Sequence, residues 1–275
     1  MSKKLILNIL FFLSQFGLDP LRFIKSVRGI PYYIRDLIVF SGQYRGSFYF
    51  KPCLYDRYED GGVTKTEYFW QDLIVARWIH QANPERHVDV GSRTDGFVAH
   101  VASFREIEIF DVRPINTEIP GVTFRQADLM DTAAMVSWQD ENAGSGYCDS
   151  LSCLHVLEHF GLGRYGDPID PNGYKTGFAN LASLLRPGGR FYLSTPIGQE
   201  RVEFNANWVF DPVTILGLAH TSGLQLERFS AFNPRTGLRE FSEEERCEAL
   251  AALAADYYNL GIFVFLRPLD GPKRS

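Results

Sequence analysis

His155, Glu158 and His159 fall in the order H-x-x-E-H within "SLSCLHVLEHFGLGRYGDPIDPNG". Histidine and glutamate at that spacing support two chemistries. One is zinc hydrolysis, because H-x-x-E-H inverts the H-E-x-x-H peptidase signature. The other is proton transfer by an imidazole whose pKa lies near neutrality. The peptidase needs His155 and His159 one helical turn apart on one helix. The apolar, strand-like "CDSLSCL" runs directly into His155, and Gly161 and Gly163 follow His159 within four residues, so a helix through the motif is not expected.

A second set of chemical residues sits at strand ends. "RHVDVGS", "EIEIFDVR", "VTFRQADLM", "YCDSLSCLH", "RFYLSTPIG", "LQLERFSAF" and "LGIFVFLRP" are short and rich in Val, Ile, Leu, Phe or Tyr. Helix-compatible stretches such as "EYFWQDLIVARWIHQA", "GFANLASLL" and "DPVTILGLAHTSG" separate most of them. Such alternation predicts a doubly wound α/β sheet with helices on both faces. "RPGG" marks a turn before the fifth strand. "NPRTGLREFSEEERCEALAALAADYYN", between the last two strands, reads as a polar insertion with one short helical run. An antiparallel final strand fits.

In doubly wound sheets ligands bind beyond the carboxyl ends of the strands. Asp89, Asp111 and Asp128 stand at three successive ends. Asp89 with Gly91 and Gly96 does not spell G-x-G-x-x-G, and an anion there disfavours a pyrophosphate; a nicotinamide oxidoreductase is the weaker reading. Asp89 suits a cationic ligand carrying an amino acid, Asp111 a ribose diol, and Asp128 an adenine amino group with Leu129 on the ring. Gly91 would let the loop approach the ligand, and Gly96 would seat the following helix. A lone strand-end Asp is usually a helix cap; three in register argue for one nucleoside crevice.

These stretches resemble class I S-adenosylmethionine-dependent methyltransferases: "VDVGSRTDGF", "FDVRP", "QADLMD" and "LHVLEH" look like that superfamily's first four motifs. "YFWQDL", "HFGLGRYGDPIDPNGY" and "STPIG…RVEFNAN" are similar to its DUF268 branch, met among bacterial surface-polysaccharide genes. After "FNA" that branch carries His-Arg, where this chain has Asn207 and Trp208. The resemblance implies a Rossmann-like, seven-stranded, mostly parallel sheet with an antiparallel last strand, and a helical N-terminal extension (residues 1–65) before the domain (66–275). It implies S-adenosylmethionine held by Asp89, Gly91, Ser92, Arg93, Gly96, Asp111, Val112, Asp128, Leu129 and Leu154. His155, Glu158 and His159 would surround the reacting centre. Either histidine serves as a general base, or the three hold a divalent metal that acidifies the acceptor hydroxyl; both mechanisms stay open.

Arg164, Tyr165, Asp167 and Asp170, in a Gly- and Pro-rich loop, with Glu203 and Asn205 beyond the fifth strand, suit a hydroxyl-rich acceptor. The expected activity is O-methylation of a sugar in a surface polysaccharide or its precursor. A non-catalytic, methyltransferase-like subunit of a membrane-associated glycan-synthesis complex is the alternative.

Composition narrows the rest. The 275 residues are 45% hydrophobic with a net charge of -5, which argues against nucleic-acid binding. Four cysteines without a C-x-x-C pair fit a reducing, cytoplasmic setting. Residues 1–51 nonetheless carry eight basic and two acidic side chains. The apolar Leu5–Leu18 run is shorter than the ~20 residues of a spanning helix and lacks a signal-peptide cleavage pattern. It either packs on the body of the protein or lies peripherally on an anionic inner-membrane surface.

Overall fold

The structure is a computed structural model, describing residues 3–62, 64–133 and 146–269. The chain divides into two compact units, Met1–Val63 and Thr64–Ser275. The first holds helices α1 (Lys3–Ser14) and α2 (Pro20–Gln43) and a short turn of helix at Asp56–Tyr58. Asp19 caps α2 by accepting from the Arg22 amide at 2.9 Å, and Pro20 occupies the first turn, where no amide partner is needed. Met1, Ser2 and the side chains of Lys3 and Lys4 lie outside the described residues.

The second unit opens with α3 (Glu67–Ala82), which ends where Asn83 takes a left-handed conformation at φ 42°. Strands follow: β1 (His87–Val90), β2 (Ile107–Asp111), β3 (Val122–Gln126), β4 (Cys148–Leu154) and β5 (Leu185–Ile197). Beyond them come β6 (Arg201–Glu203), β7 (Asn207–Val209), β8 (Gln225–Asn233), β9 (Gly237–Phe241) and β10 (Asn259–Leu266). The intervening helices are α4 (Ala99–Ala102), α5 (Gly173–Leu184), α6 (Pro212–Thr221) and α7 (Arg246–Ala255).

The main sheet runs β3-β2-β1-β4-β5-β10-β8-β9. β3 to β5 pair in parallel, and β10 lies antiparallel between β5 and β8. Seven of these strands are the expected ones, with the expected antiparallel last strand. The eighth, β9, corrects the reading of "NPRTGLREF" as insertion. Asn233 accepts from the Arg235 amide at 2.9 Å, Gly237 takes φ 76°, and the chain folds back as a hairpin on β8. Its charged Arg239 and Glu240 hid the strand, and such residues belong on a sheet edge. "RPGG" also departs from expectation: it loops out within β5, where pairing with β4 jumps from Leu185 to Arg190.

Apolar residues pack on both faces. One core joins Val88, Val90, Leu151 and Phe191 to Phe178 and Leu181 of α5 and Ile215 of α6. The other joins Ile107, Ile109 and Val264 to Val75 and Ile79 of α3. Cys148 and Cys153 are free thiols packed in the first core. The order reverses between β1 and β4, the edge at which a doubly wound sheet opens a crevice.

Candidate active site

The loops after β1, β2, β3 and β4 border a cleft of about 60 Å³, lined by Gly91, Asp111, Val112, Asp128, Leu129 and His159 among others. A neighbouring crevice shares Gly91, Asp111, Arg113, His155, His159 and Tyr165, and adds Tyr68, Gln71, Asp72, Ser92, Arg93 and Leu154. Gly91 makes the turn between them at φ 69°; a Cβ there would stand 2.7 Å from Val156 Cγ1. Any other residue would add left-handed strain to that collision.

Asp111 and Asp128 reach the cleft as expected, but neither carboxylate is idle. Asp111 accepts from the Arg113 amide (2.8 Å), Nε (3.0 Å) and Nη2 (2.7 Å). The Arg113 guanidinium also lies 4.5 Å from the centre of the Tyr165 ring. Asp128 Oδ1 accepts from the Met130 amide at 2.8 Å, which orders the turn that presents Leu129.

Asp89 corrects the expectation of three carboxylates in one wall. It is fully buried behind the loop, accepting from the Ser92 amide (3.0 Å), Ser92 Oγ (2.8 Å) and Ser152 Oγ (2.5 Å). Burial raises its carboxyl to about 7, against the lowering effect of those three bonds. Its side chain points to the β4 side of the sheet, where Ser152 pairs with it across the register. It braces the loop rather than meeting a ligand. Arg93 is ion-paired to exposed Asp95 at 2.6 Å. Gly96 is needed for close approach to α3: a Cβ would stand 2.7 Å from Asp72 Oδ2.

The H-x-x-E-H residues form a single turn (Leu157–His159), with His155 before it at φ 58°. This is not the helix that the inverted peptidase motif requires. The three side chains do not converge. His155 Nδ1 lies 2.6 Å from Glu158 Oε1, while Nε2 stands 3.3 Å from Glu67 Oε1, close enough for charge pairing though not aligned as a hydrogen bond. The Tyr68 ring lies 4.9 Å from His155, and Tyr258 Oη donates to Glu67. Burial alone would strip His155 of its proton, but Glu158 and Glu67 outweigh burial and push it up to about 10. Both ring nitrogens of His155 thus face carboxylates, an arrangement that favours the imidazolium over the free base. Among the described residues, no three His, Cys, Asp or Glu side chains are grouped as a metal ion would require.

His159 is set the other way. Nδ1 lies 2.7 Å from the Ala206 carbonyl, which only accepts, so Nδ1 carries the hydrogen and Nε2 keeps the lone pair. Burial holds its pKa below the ordinary value. Arg164 Nη1 stands 3.3 and 3.4 Å from the two ring nitrogens. A nitrogen in the ring plane at those distances would collide with Cε1, so the guanidinium lies over the ring face and leaves the lone pair free. The same Nη1 donates to Ala206 O at 3.0 Å.

The acceptor residues divide. Tyr165 borders both crevices and Arg164 the second. Asp167 borders the first, but its oxygens accept from the amides of Gly161, Gly163 and Tyr165 and shape the loop. Asp170 is a turn cap on Asn172, away from the cleft. Glu203 pairs with Arg201 and accepts from Tyr257 on the β6–β7 ribbon. Asn205 is exposed in the ribbon's turn and borders neither crevice. Asp170 and Glu203 share a reason: local backbone and ion-pair partners satisfy their side chains first.

Sequence reading missed the contribution of α3. Tyr68, Gln71 and Asp72 fall at i, i+3 and i+4, one helix face, and all three border the second crevice. Ser194 donates to Gln71 Oε1 at 2.6 Å, and Gln71 donates to Asp72 Oδ1 at 3.1 Å. Burial raises the Asp72 carboxyl. Two adjacent buried polar residues in an apolar helix were the available signal.

The strand order, the crossover crevice and the antiparallel β10 define a Rossmann-like α/β fold of the kind class I methyltransferases use. The profile of the family described as "Caenorhabditis protein of unknown function, DUF268" matches residues 118–231. No curated protein matches the sequence. Among solved structures, an O-methyltransferase family protein from Burkholderia thailandensis is 13% identical at a TM-score of 0.44, over 73% of this chain and 56% of that one. This chain thus spans little more than half the length of that protein. The 1,6-didemethyltoxoflavin-N1-methyltransferase of the same organism, with bound 1,6-didemethyltoxoflavin and S-adenosylhomocysteine, is 13% identical at 0.47, over 87% and 89%. The N-methyltransferase NodS from Bradyrhizobium japonicum WM9, in complex with S-adenosylhomocysteine, is 12% identical at 0.47, over 75% and 90%.

Proposed function

We propose that the protein is an S-adenosylmethionine-dependent O-methyltransferase whose acceptor is a sugar hydroxyl of a surface polysaccharide or its precursor. One observation carries the reading: two adjoining crevices at the strand ends are lined by Asp111, Asp128 and His159, whose Nδ1 is engaged by Ala206 O so that Nε2 keeps its lone pair.

The residues present fit S-adenosylmethionine. Asp111 suits the ribose diol and Asp128 the adenine amino group, while the Gly91 turn admits close approach because no Cβ fits there. Tyr68, Gln71 and Asp72 line the adjoining crevice, where the Asp72 carboxyl would pair with an ammonium group. The bound donor supplies a methyl group already activated as a sulfonium. The chain must then exclude water, orient the acceptor and take up one proton. His159 Nε2 is the atom that accepts that proton, held neutral by burial and in one tautomer by Ala206 O. His155, paired with Glu158 and Glu67, holds α3 to the β4 loop.

Support for a sugar is narrower. Arg164 has donors beside His159, and Tyr165, with the Arg113 and Arg164 guanidiniums against its ring, borders both crevices. Calorimetry with S-adenosylhomocysteine tests the donor half: binding by the wild type, weakened in Asp111→Ala, is expected. Methyl transfer to nucleotide-sugar and glycan acceptors tests the other half. Donor binding with no transfer to any sugar acceptor would confine the reading to a methyltransferase of another substrate class.

A further inference from the structure

We propose that the N-terminal unit docks on an anionic lipid surface, lying on the bilayer with two apolar helix stripes embedded. This goes beyond methyl transfer and rests on different residues. On α1, Leu5, Ile9, Phe12 and Phe16 run at i, i+4, i+7 and i+11 (Phe16 just past the helix end), and all are exposed, Phe12 at 62% and Phe16 at 68%. On α2, Phe23, Val27, Ile30, Ile34 and Ile38 repeat the pattern at i, i+4, i+7, i+11 and i+15, with Phe23 at 69% and Ile38 at 65%. That spacing keeps each set on one helix face. Ordinary surfaces scatter such residues singly; contiguous apolar stripes mark an interaction face.

The remainder of α2 indicates which occupant. Gly29, Tyr33 and Leu37 form the face that packs inward, and a Cβ on Gly29 would collide with the Leu54 carbonyl. Arg22 stacks on Tyr55, Arg28 on Tyr58, and Lys25 pairs with Glu59, so basic side chains flank the face away from the apolar stripe. The unit, residues 1–63, carries nine basic and five acidic side chains, a net +4, while the rest of the chain carries -9. An apolar stripe within a basic segment complements an anionic bilayer surface. A second copy of this chain would bring like charges together. Among the described residues, no helix is long and apolar enough to cross a membrane, so lying on the surface is the available mode.

The test is flotation of the full-length chain with vesicles of phosphatidylcholine alone and of phosphatidylcholine mixed with phosphatidylglycerol, alongside its oligomeric state by light scattering. Flotation with the mixed vesicles only, reduced at least tenfold by high salt and by the exposed-face variant Phe12→Ser/Phe23→Ser/Ile38→Ser, is expected. That variant should keep wild-type binding of S-adenosylhomocysteine, which also reports its folding. No flotation with the mixed vesicles would overturn the proposal. So would a stable dimer that the same variant dissociates and that binds no vesicle, since the stripes would then join two copies. Failure of donor binding in the wild type would leave the flotation outcome unaffected, so the two readings fail separately.

Discussion

His155 and His159, four positions apart around one turn, sit in surroundings that favour opposite protonation states. His155 is pushed up to about 10 by Glu158 and Glu67 despite burial, whereas burial lowers His159. One motif thus places two imidazoles under opposing influences, the pattern expected of a structural cation beside the proposed base. The division comes from partners outside the motif: Glu67 on α3 and the carbonyl of Ala206 in the β6–β7 turn.

The base makes a kinetic prediction. Losing a positioned general base costs roughly 10²–10⁴-fold in rate, so His159→Gln should lower kcat by that order with S-adenosylhomocysteine affinity unchanged. In the wild type, kcat/KM should rise with pH through an apparent pKa below 6.5, the ordinary histidine value. The variant should lack that limb. A pH profile with the limb intact in the variant would remove His159 from the chemistry.

The cation makes a stability prediction. His155 holds its proton more tightly folded than unfolded, so its contribution is complete below pH 6.5 and is lost as pH rises toward about 10. His155→Gln leaves Glu158 buried without its partner, and breaking such a pair costs about 3–5 kcal/mol. Urea denaturation should show that loss at neutral pH, together with a flatter decline above it. Equal midpoints for variant and wild type would show that the pair contributes nothing net.

Much of this frame was legible in the chain because its signals are local. Short apolar strands ending in Asp111 and Asp128, and a glycine at 91, need only neighbours in sequence to be read. Asp89 was misplaced because its partner Ser152 comes from β4, 63 positions on. Alternation along β1 says that Asp89 faces opposite to Val88 and Val90, but not what stands there. The Glu67–Tyr258 bond spans 191 positions, and no periodicity reports it. β9 stayed hidden because edge strands tolerate the charged residues that otherwise signal loops.

Asp89 carries its own pH signature. Its carboxyl rises from 3.8 to about 7 on folding through burial. The folded state therefore binds the extra proton between those values, and stability from this group falls as pH climbs from about 4 to about 7. Three pKa units bound the effect at ~4 kcal/mol. Asp89→Asn should flatten the pH dependence of the denaturation midpoint in that window relative to wild type. A parallel pair of curves would show that the three serine hydrogen bonds keep the carboxylate ionised.

Arg113 competes with the proposed ligand for Asp111. Asp111 Oδ1 accepts two bonds from Arg113 and Oδ2 one, so a ribose diol can bond both oxygens only if the guanidinium gives up its hold on Oδ1. The Arg113 side chain is 49% exposed and that of Asp111 10%, so the pair, open to solvent on the arginine side, contributes at the upper end of the exposed range, about 1 kcal/mol. Displacement is accordingly cheap. Arg113→Ala should tighten S-adenosylhomocysteine binding by up to about fivefold. Asp111→Ala removes hydrogen bonds to a charged acceptor, each about 1.5–3 kcal/mol, and should weaken binding at least tenfold. The double variant should match Asp111→Ala alone, because the benefit of losing Arg113 acts only through that carboxylate. Calorimetry on the three variants decides it: weaker binding by Arg113→Ala would mean that the guanidinium contacts the ligand instead of giving way to it.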